Sequence, residues 1–352
     1  MKILHIIPSL EIGGAQRLTF DICNELWERP GIQIKLIIFR DFNEFGERDF
    51  IAHIPASSHL SLYKKNKFDI AQLQQEMESF KPDIIHSHLF MAEIVSRSCL
   101  YKDAIWFSHF HDNMPQLNNM TFHSLGLKTG ILNFYEKQFL YKRYKLNGGN
   151  NFIAISQNAL DYAKRVIPKS DGLKHLNNAI DYAAFYSPVK VINTKKIIRL
   201  VNVGSFQKKK NQVFLVEVLK KLLERGVNCE LTFLGKGTEM KRVEQRAEEL
   251  GVKDQIIFKG NVTNVYSVLA ESDIYVHSAY YEPFGLVLLE AMAAGLPVVC
   301  LNGGGNADII ENGTNGFMLE GATPTQYAQR IEELVRNQER YNAIATAGQH
   351  TA

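Results

Sequence analysis

Residues Tyr281–Gly305 read YEPFGLVLLEAMAAGLPVVCLNGGG, which combines two carboxylates, a helix start and two glycine-rich turns in one short stretch. Pro283 disfavours the helical conformation at the residue before it, so Glu282 is predicted to end a loop. A helix is expected at Leu286–Ala294, because Leu, Met and Ala dominate it and a Gly-Leu-Pro turn stops it before a β-branched strand. Helix, turn and strand in this order predict half of a doubly wound α/β unit.

Glu290 is the unusual residue of this stretch, because it lies in an otherwise apolar helix that neighbouring strands should bury. A carboxylate left unpaired there would be destabilising, so we expect it to need hydrogen-bond donors, which sugar hydroxyl groups could provide. The N–H groups of Phe284, Gly285 and Leu286 at the helix start would bind phosphate oxygens, helped by the helix dipole. Together these groups predict a site for a sugar nucleotide.

Composition limits the class of protein. At 352 residues and 45% apolar content, the chain can bury two cores of ordinary size, so two domains are expected. The net charge of +3, from 40 basic and 37 acidic residues, is too balanced to indicate nucleic-acid binding. The four cysteines show no disulfide or metal-binding spacing and are expected to be buried thiols. No apolar run reaches the roughly 18 residues of a membrane-spanning helix. The hydrophobic run at the amino terminus is too short for a signal peptide, so the sequence predicts a cytoplasmic protein.

Strands and helices are expected to alternate along the chain, beginning with a strand at Ile3–Ile7 and a helix at Ala15–Glu28. This alternation predicts parallel sheets that bind ligands at the carboxyl ends of their strands. A helix is also expected to run through Ile309 and Ile310, between two glycine turns. Further helices are expected at 68–80, 91–101, 130–145, 157–166, 212–224 and 325–337, and further strands at 32–39, 84–88, 104–107, 152–156, 197–203, 230–234, 256–259 and 273–277.

The expected domain boundary lies in residues 187–194, which carry Pro188 and few core residues. The amino-terminal domain is therefore predicted at 1–186 and the carboxyl-terminal domain at 195–340. Residues 341–352 read as a weak tail, which either returns to the first domain or is truncated.

Glu282 and Glu290 have seven residues between them within EPFGLVLLEAMAAGLPVV, which resembles the E-x7-E signature of retaining glycosyltransferase family 4, of the type used in bacterial polysaccharide and glycolipid biosynthesis. The alternative is a solvated loop charge and an ion-paired helix charge. The resemblance implies the GT-B architecture, in which two Rossmann-like domains of doubly wound parallel sheet face a central cleft. It also implies retaining, metal-independent transfer of a hexose-type sugar from a UDP or GDP donor to a glycan or lipid-linked acceptor, with no further cofactor.

Three lysines precede the expected helix at 212–224, and the dipole of that helix favours an anion there instead. An external anion would remove this conflict; a solvated basic loop is the alternative. The resemblance implies that Lys210 holds the leaving diphosphate, whereas Ser205 stands where the family has an arginine. Lys208 or Lys209 would then supply a second positive charge.

The resemblance assigns roles to the two carboxylates. Glu282 would orient the donor sugar by its hydroxyl groups, and Glu290 would hold the ribose. The donor-binding residues implied are Gly13, Gly14, Ser205, Lys209, Lys210, Gly235, Asn261, Val262, Glu282, Pro283, Phe284, Gly285, Leu286 and Glu290.

Gly13 and Gly14 follow the first expected strand, where a missing Cβ would let a ligand approach the backbone. The surrounding sequence lacks the G-x-G-x-x-G spacing, which argues against an NAD site. A plain tight turn is the alternative. The pair resembles the family's loop between donor diphosphate and acceptor, and the resemblance assigns Arg17 and Asp112 to the acceptor.

Two histidine pairs lie at expected strand ends, His86 with His88 and His109 with His111. They suggest a metal, but no carboxylate or cysteine completes a four-ligand set, so no metal is expected. The resemblance implies that His109 or His111 lies beside the donor sugar as a catalytic residue, and the sequence does not decide between them.

Residues 130–145 mix aromatic side chains with lysine and arginine. This mixture is typical of a helix at a membrane interface, which would place the protein at the inner face of the membrane, and equally of a core helix with one solvated face.

Two other functions remain open for the chain: a sugar-nucleotide epimerase of the same fold, and a non-catalytic binder of sugar nucleotides or glycans.

Overall fold

The computed structural model describes residues 1–118, 128–146, 150–167, 172–193 and 195–352, and the chain divides into two α/β units, Met1–Asn178 and Ala179–Ala352. Each unit is built on a parallel, Rossmann-like sheet, which confirms the predicted fold class. The expected linker at 187–194 lies in the second unit, except for Thr194, which is outside the described residues. Cys23, Cys99, Cys229 and Cys300 are all buried and unbridged, as expected.

Seven of the nine described strands of the first unit form a parallel sheet in the order β3-β2-β1-β6-β7-β8-β9. Apolar clusters cover both faces of this sheet, as its nearly continuous apolar strands predict. The strands are β1 Lys2–Ile7, β2 Gln33–Ile38, β3 Ile51–His53, β4 Ser57–His59, β5 Lys67–Asp69, β6 Ile84–His88, β7 Ile105–Phe110, β8 Asn151–Ala154 and β9 Leu173–His175.

The helices of the first unit largely follow the sequence prediction, because their apolar residues recur at helical spacing. The α5 helix has its expected bounds, and the Ser156 side chain caps it by accepting a hydrogen bond from the Ala159 N–H at 3.1 Å. Phe68 was expected in a helix and instead lies in β5, which pairs antiparallel with β4. The helices are α1 Gly14–Trp27, α2 Ala71–Phe80, α3 Leu89–Ser96, α4 Lys128–Leu146 and α5 Gln157–Val166.

A buried ion pair fixes α3 against the sheet. The Arg97 Nε donates to the Glu93 carboxylate at 3.1 Å, and both side chains are almost completely buried. Ser108, on β7, donates its hydroxyl to the same carboxylate at 2.7 Å, and the guanidinium also stacks on the Trp106 ring at 4.2 Å. These contacts supply the partners that two buried charges need.

The described strands of the second unit form a six-stranded parallel sheet in the order β12-β11-β10-β13-β14-β15 around one large apolar core. The α7 helix has the bounds that the sequence predicts. The strands are β10 Ile198–Val203, β11 Cys229–Leu234, β12 Ile256–Gly260, β13 Ile274–His277, β14 Val298–Leu301 and β15 Phe317–Leu319. The helices are α6 Tyr182–Phe185, α7 Gln212–Glu224, α8 Met240–Glu249, α9 Val265–Glu271, α10 Leu286–Ala293, α11 Pro324–Arg336 and α12 Gln338–Thr351.

The end of the chain differs from its prediction. Residues expected to be a weak tail form α12, which buries Tyr341, Ile344 and Ala345 in the core of the second unit. The Tyr341 hydroxyl also donates to the Asp273 carbonyl at 2.8 Å. The prediction of a helix through Ile309 and Ile310 is wrong, because the 3₁₀ helix in this region spans Gly305–Asp308 and ends before these two residues.

We expect Glu93→Ala to lower the free energy of unfolding by about 3–5 kcal/mol, because it leaves the buried Arg97 guanidinium without its carboxylate. Urea unfolding followed by circular dichroism measures the change. The matched control is Glu25→Ala, which removes an exposed partner of Arg29 at the same i,i+4 spacing and should cost less than about 1 kcal/mol. Equal costs for the two variants would contradict the assigned role of the buried pair.

Candidate functional site

The predicted helix start is present in the second unit. The chain leaves β13 at His277, passes Glu282 and begins α10 at Leu286. Gly285, at the N-cap, has a φ of 100°, in the left-handed region that favours glycine. The first N–H groups of an α-helix have no partner within the helix, so this end of α10 is suited to bind an anion.

The glycine turn after β14 holds the loop that carries Glu282. The Glu282 N–H donates to the Gly303 carbonyl at 2.7 Å, and the Gly305 N–H donates back to the Glu282 carbonyl at 2.9 Å. A Cβ atom added to Gly305 would lie 2.1 Å from the Pro283 carbonyl oxygen, so only glycine fits this close approach. The glycine turn after β14 therefore positions the Glu282 backbone.

The Glu282 carboxylate is buried and receives two charged or polar donors. Its Oε2 atom lies 2.5 Å from the Lys210 Nζ and 3.1 Å from the His277 Nε2. The sequence prediction included Glu282 and Lys210 but missed His277, which is the last residue of the buried strand β13. The Tyr327 hydroxyl, also missed, accepts from the His277 N–H at 3.0 Å and anchors that strand end.

The environment of Glu282 keeps it ionised. Burial raises the pKa of a carboxyl group, but the hydrogen bond from His277 and the positive charge of Lys210 outweigh it and lower the Glu282 pKa to about 2. The site therefore holds a fixed negative charge beside a lysine at neutral pH.

The basic loop after β10 packs beside the Glu282 loop. Lys208–Lys210 form a 3₁₀ turn, and Asn211 follows with a left-handed φ of 51° before α7 begins. The Tyr280 N–H donates to the Lys209 carbonyl at 2.8 Å, and the Lys209 Nζ lies 5.5 Å from the Tyr281 ring centre. The loop is thus partly ordered by protein contacts, and a fully solvated basic loop does not describe it.

The prediction that Glu290 is buried is wrong. Glu290 is half-exposed, as are Leu286 and Val287, which lie on the same face of α10 one turn earlier. Glu290 also makes an interaction of its own in the structure. Because water can solvate a half-exposed carboxylate, Glu290 does not require a ligand's hydroxyl groups for stability.

The negative charges of Glu282 and Glu290 nevertheless both affect the buried Tyr275. The pKa of the buried Tyr275 phenol is raised well above its usual value, mainly by burial, and the charges of both carboxylates add to the effect. The Tyr275 hydroxyl lies 3.3 Å from the Val203 carbonyl, at the carboxyl end of β10. Both carboxylates therefore contribute negative electrostatic potential at this edge of the sheet.

Glycine turns lie side by side at the same edge. The Gly235 N–H donates to the Gly260 carbonyl at 2.7 Å, and a Cβ atom on Gly235 would lie 2.2 Å from the Gly204 carbonyl oxygen. The Ser205 carbonyl accepts from the Gln212 side chain at 3.0 Å. Of the other predicted donor-binding residues here, Asn261 is exposed and Val262 is half-exposed.

The first unit carries the remaining predicted residues. Gly13 is the extended N-cap of α1, and Gly14 is the first residue of that helix. Arg17 is exposed and forms an ion pair with Asp21 at 2.8 Å, and Asp112 is half-exposed just after β7.

The histidines of the two predicted pairs, His86 with His88 and His109 with His111, lie beside a fifth histidine, His5, towards the carboxyl end of the sheet in the first unit. The sequence prediction missed His5, because a single histidine in an apolar strand shows no spacing pattern. His109 and His111 are 4% and 6% exposed, with ring centres 4.1 Å apart. Burial, and then the neighbouring histidines, lower the pKa of His111 to about 3 and that of His109 well below its usual value.

The α4 helix is partly a core helix. Leu140 and Tyr144 are buried, and Lys137 is only 5% exposed. Phe134 and Lys142 are exposed on this helix. None of the helices among the described residues is both long and apolar enough to cross a membrane.

Each half of the chain matches a known protein family. Residues 12–183 match the family model Glycosyltransferase Family 4, and residues 185–351 match the model described as glycosyl transferases group 1. Between them the two matches take in the helix start, the lysine loop and the histidine cluster except for His5.

Similar curated proteins include N-acetyl-alpha-D-glucosaminyl L-malate synthase of Bacillus anthracis, 26% identical over 56% of this chain and 53% of that protein. Another is the lipopolysaccharide core biosynthesis glycosyltransferase LpsE of Rhizobium meliloti, 31% identical over 43% of this chain and 44% of that protein. The chain thus spans about half the length of these relatives.

Solved structures share the fold over nearly the whole chain. Anabaena HepE, crystallised with UDP-glucose, has a TM-score of 0.77 at 19% identity and covers 99% of this chain and 94% of its own. WaaG, which is involved in lipopolysaccharide biosynthesis, has a TM-score of 0.74 at 18% identity, with 99% and 94% covered. These GT-B structures show a shared fold.

We expect the stability of the protein to fall in acid partly through Glu282. Because its folded pKa is lowered to about 2, its contribution is present above the unfolded pKa near 4.5 and is lost as the pH falls towards 2. Wild type should therefore lose about 3 kcal/mol more than Glu282→Gln between pH 5 and pH 2. Urea unfolding at a series of pH values measures the difference, and parallel curves would contradict the assigned ion pair.

Proposed function

We propose that the chain, whose two halves match the glycosyltransferase models of group 1 and family 4, transfers a sugar from a nucleotide donor to a glycan or lipid-linked acceptor. The observation that carries this proposal is the contact of Glu282 with Lys210 beside the α10 helix start. The names of the relatives support a place in polysaccharide or lipopolysaccharide biosynthesis. UDP-glucose in the HepE structure supports a UDP-linked hexose as the donor.

Lys210 and the α10 helix start are proposed to bind the donor diphosphate. Lysine provides a point charge for phosphate, and the N–H groups of Phe284, Gly285 and Leu286 add the positive end of a helix dipole. Negative charge builds on the diphosphate as the sugar leaves, so fixed donors at this position would lower the barrier. In this proposal these groups supply the positive charge, and the transfer needs no metal ion.

Glu282 is proposed to change partners when the donor binds. Without donor, Lys210 neutralises the carboxylate. A diphosphate carries more negative charge than one carboxylate and would attract the Lys210 ammonium group, which leaves Glu282 held by His277. The released carboxylate oxygens could then accept hydrogen bonds from the sugar hydroxyl groups and orient the anomeric carbon.

The other predicted residues complete the proposed donor site. Glu290, half-exposed on the α10 face that begins at Leu286, would bind the ribose hydroxyl groups. Family resemblance assigns the Gly13-Gly14 turn to the diphosphate. This chain has Ser205 where the family has an arginine, and Lys209 is a candidate to supply the positive charge of that arginine.

The acceptor side of the reaction is proposed from the first unit. Family resemblance assigns Arg17 and Asp112 to the acceptor, and His109 or His111 to the donor sugar. Retention of configuration would follow from attack on the same face that the diphosphate leaves, with the leaving phosphate taking the acceptor's proton. If the acceptor is lipid-linked, the exposed Phe134 and Lys142 of α4 provide a contact surface for a membrane.

The proposed transfer is tested by incubating the protein with UDP- and GDP-sugars, first screened by thermal shift. A true donor should raise the melting temperature, since a ligand at a hundred times its Kd stabilises by about 2.7 kcal/mol. Mass spectrometry should detect a glycosylated product only when an acceptor extract is added. A new sugar nucleotide from donor alone would indicate an epimerase, and binding without any turnover would indicate a non-catalytic binder.

We expect Glu282→Gln to lower the rate of transfer by about 100-fold or more, because the neutral amide cannot orient the sugar as a carboxylate does. UDP binding should change little, since Lys210 remains. Glu311→Gln, an exposed carboxylate of the same unit, is the matched control and should keep wild-type activity. Full activity of Glu282→Gln would contradict the proposed site.

We expect Lys210→Ala to weaken binding of the donor's nucleoside diphosphate by about 10- to 100-fold, the cost of losing one hydrogen bond from a charged donor. Isothermal titration calorimetry measures this affinity. Lys241→Ala removes an exposed lysine on α8 and should leave the affinity unchanged. Unchanged affinity in Lys210→Ala would move the diphosphate away from this loop.

A further inference from the structure

Five histidines converge on one face of the parallel sheet in the first unit. His5 is aligned with His86 across β1 and β6, and His88 is aligned with His109 across β6 and β7. His111 follows two positions after His109. Because alternate residues of a strand lie on the same face, the register brings all five rings together.

The rings are in direct contact. The His5 Nδ1 lies 3.0 Å from the His88 Nε2, and the His88 Nδ1 lies 2.9 Å from the His111 Nε2. The His86 ring stacks on the His109 ring with centres 5.1 Å apart. Two groups of three histidines each bring one ring nitrogen per residue within 4.8 Å of the others, and His88 belongs to both: His5, His86 and His88, and His88, His109 and His111.

Many nitrogens of this cluster lack a hydrogen bond. Among the described residues, no partner contacts the His5 Nε2, the His86 Nε2, the His111 Nδ1 or either ring nitrogen of His109, and all are buried. Leaving buried polar groups without a partner is unfavourable. Because a neutral imidazole carries one N–H and one lone pair, five such nitrogens at one place indicate a ligand that takes the lone pairs among them.

A neutral imidazole carries one lone pair, and metal ions bind imidazole through it. Each of these histidines can therefore supply one ligand nitrogen, as the two groups of three require.

We propose that this histidine cluster binds one divalent transition-metal ion, with Zn²⁺ as the best fit, through His88 and two of its histidine neighbours. Nitrogens that share a tetrahedral zinc at about 2.0–2.1 Å lie about 3.3 Å apart. In each group one pair of nitrogens is near this separation, His5 Nδ1 with His88 Nε2 at 3.0 Å and His88 Nδ1 with His111 Nε2 at 2.9 Å. A purely imidazole set favours zinc, copper or nickel, whereas magnesium and calcium prefer oxygen ligands.

The sequence prediction of no metal rested on the absence of a carboxylate or cysteine, and it counted four histidines. The structure instead brings three imidazoles together in each of two groups, and three histidines with one open position form a ligand set that zinc accepts. His109 and His111 belong to both proposals, but the test of the metal site does not depend on the proposed sugar transfer, because it measures metal content.

The test strips the purified full chain with a chelator, dialyses it against Zn²⁺ or Mg²⁺, and measures bound metal by mass spectrometry. We expect about one equivalent of Zn²⁺ with a Kd below about 1 μM, and no retained Mg²⁺. Co²⁺ in place of Zn²⁺ should give the intense visible absorption of a tetrahedral site. Failure of the wild type to retain Zn²⁺ would overturn the proposal.

Variants identify the ligands. His88→Gln should weaken Zn²⁺ binding by about 100-fold or more, since His88 belongs to both groups. His59→Gln, which changes an exposed histidine of the same unit, is the matched control and should bind as wild type. Of His5→Gln and His109→Gln, the variant that loses binding identifies the group that holds the ion.

Circular dichroism of metal-free protein checks that each variant folds. If His88→Gln does not fold, the Co²⁺ spectrum of the wild type decides, because adventitious surface binding gives only the weak absorption of a six-coordinate ion. Unchanged Zn²⁺ affinity in a folded His88→Gln, or a weak Co²⁺ spectrum, would overturn the proposal.

Discussion

The contact between the Glu282 carboxylate and the Lys210 ammonium is the constraint on which the second unit's site depends. A buried carboxylate is tolerated only with charged or hydrogen-bonded partners, and here one oxygen has both Lys210 and His277. Those partners come from the loop after β10 and the end of β13, which are adjacent strands. The carboxylate therefore connects its own loop, after β13, to the loop after β10. The Gly303 and Gly305 backbone, in the loop after β14, holds the Glu282 backbone in place. An anion that competes for Lys210 would act on all of these loops at once.

Much of this architecture could be predicted because local patterns determine it. The α5 and α7 helices have their predicted bounds, since apolar spacing and, for α5, the Ser156 cap lie within a few residues of each other. The α10 start was predicted from Pro283 and Gly285 for the same reason. The three-residue strands β3, β4, β5, β9 and β15 are too short to show any alternation, and they form because a neighbouring strand supplies the hydrogen bonds.

The site residues that the sequence did not reveal depend on tertiary structure. His277 becomes a partner of Glu282 only because the loop after β13 folds back on the strand end. His5 joins the other histidines through the β1–β6 register, which no spacing along the chain encodes. Glu290 shows the opposite error: the apolar composition of α10 suggested burial, but exposure is a property of one helix face, and Glu290 shares its face with the half-exposed Leu286 and Val287.

The two units meet the same physical problem, polar side chains at the carboxyl edge of a buried parallel sheet, in opposite ways. In the second unit the pKa of Glu282 is lowered, because partners stabilise its charged form more than burial disfavours it. In the first unit the histidine pKa values are lowered by burial itself, which removes the charge and leaves neutral rings. A retained charge is satisfied by an opposite charge, but neutral imidazoles keep lone pairs that only a donor or a metal can satisfy. The chemistry that each edge can support follows from this difference: exchange of ionic partners with a phosphate at one, and coordination at the other.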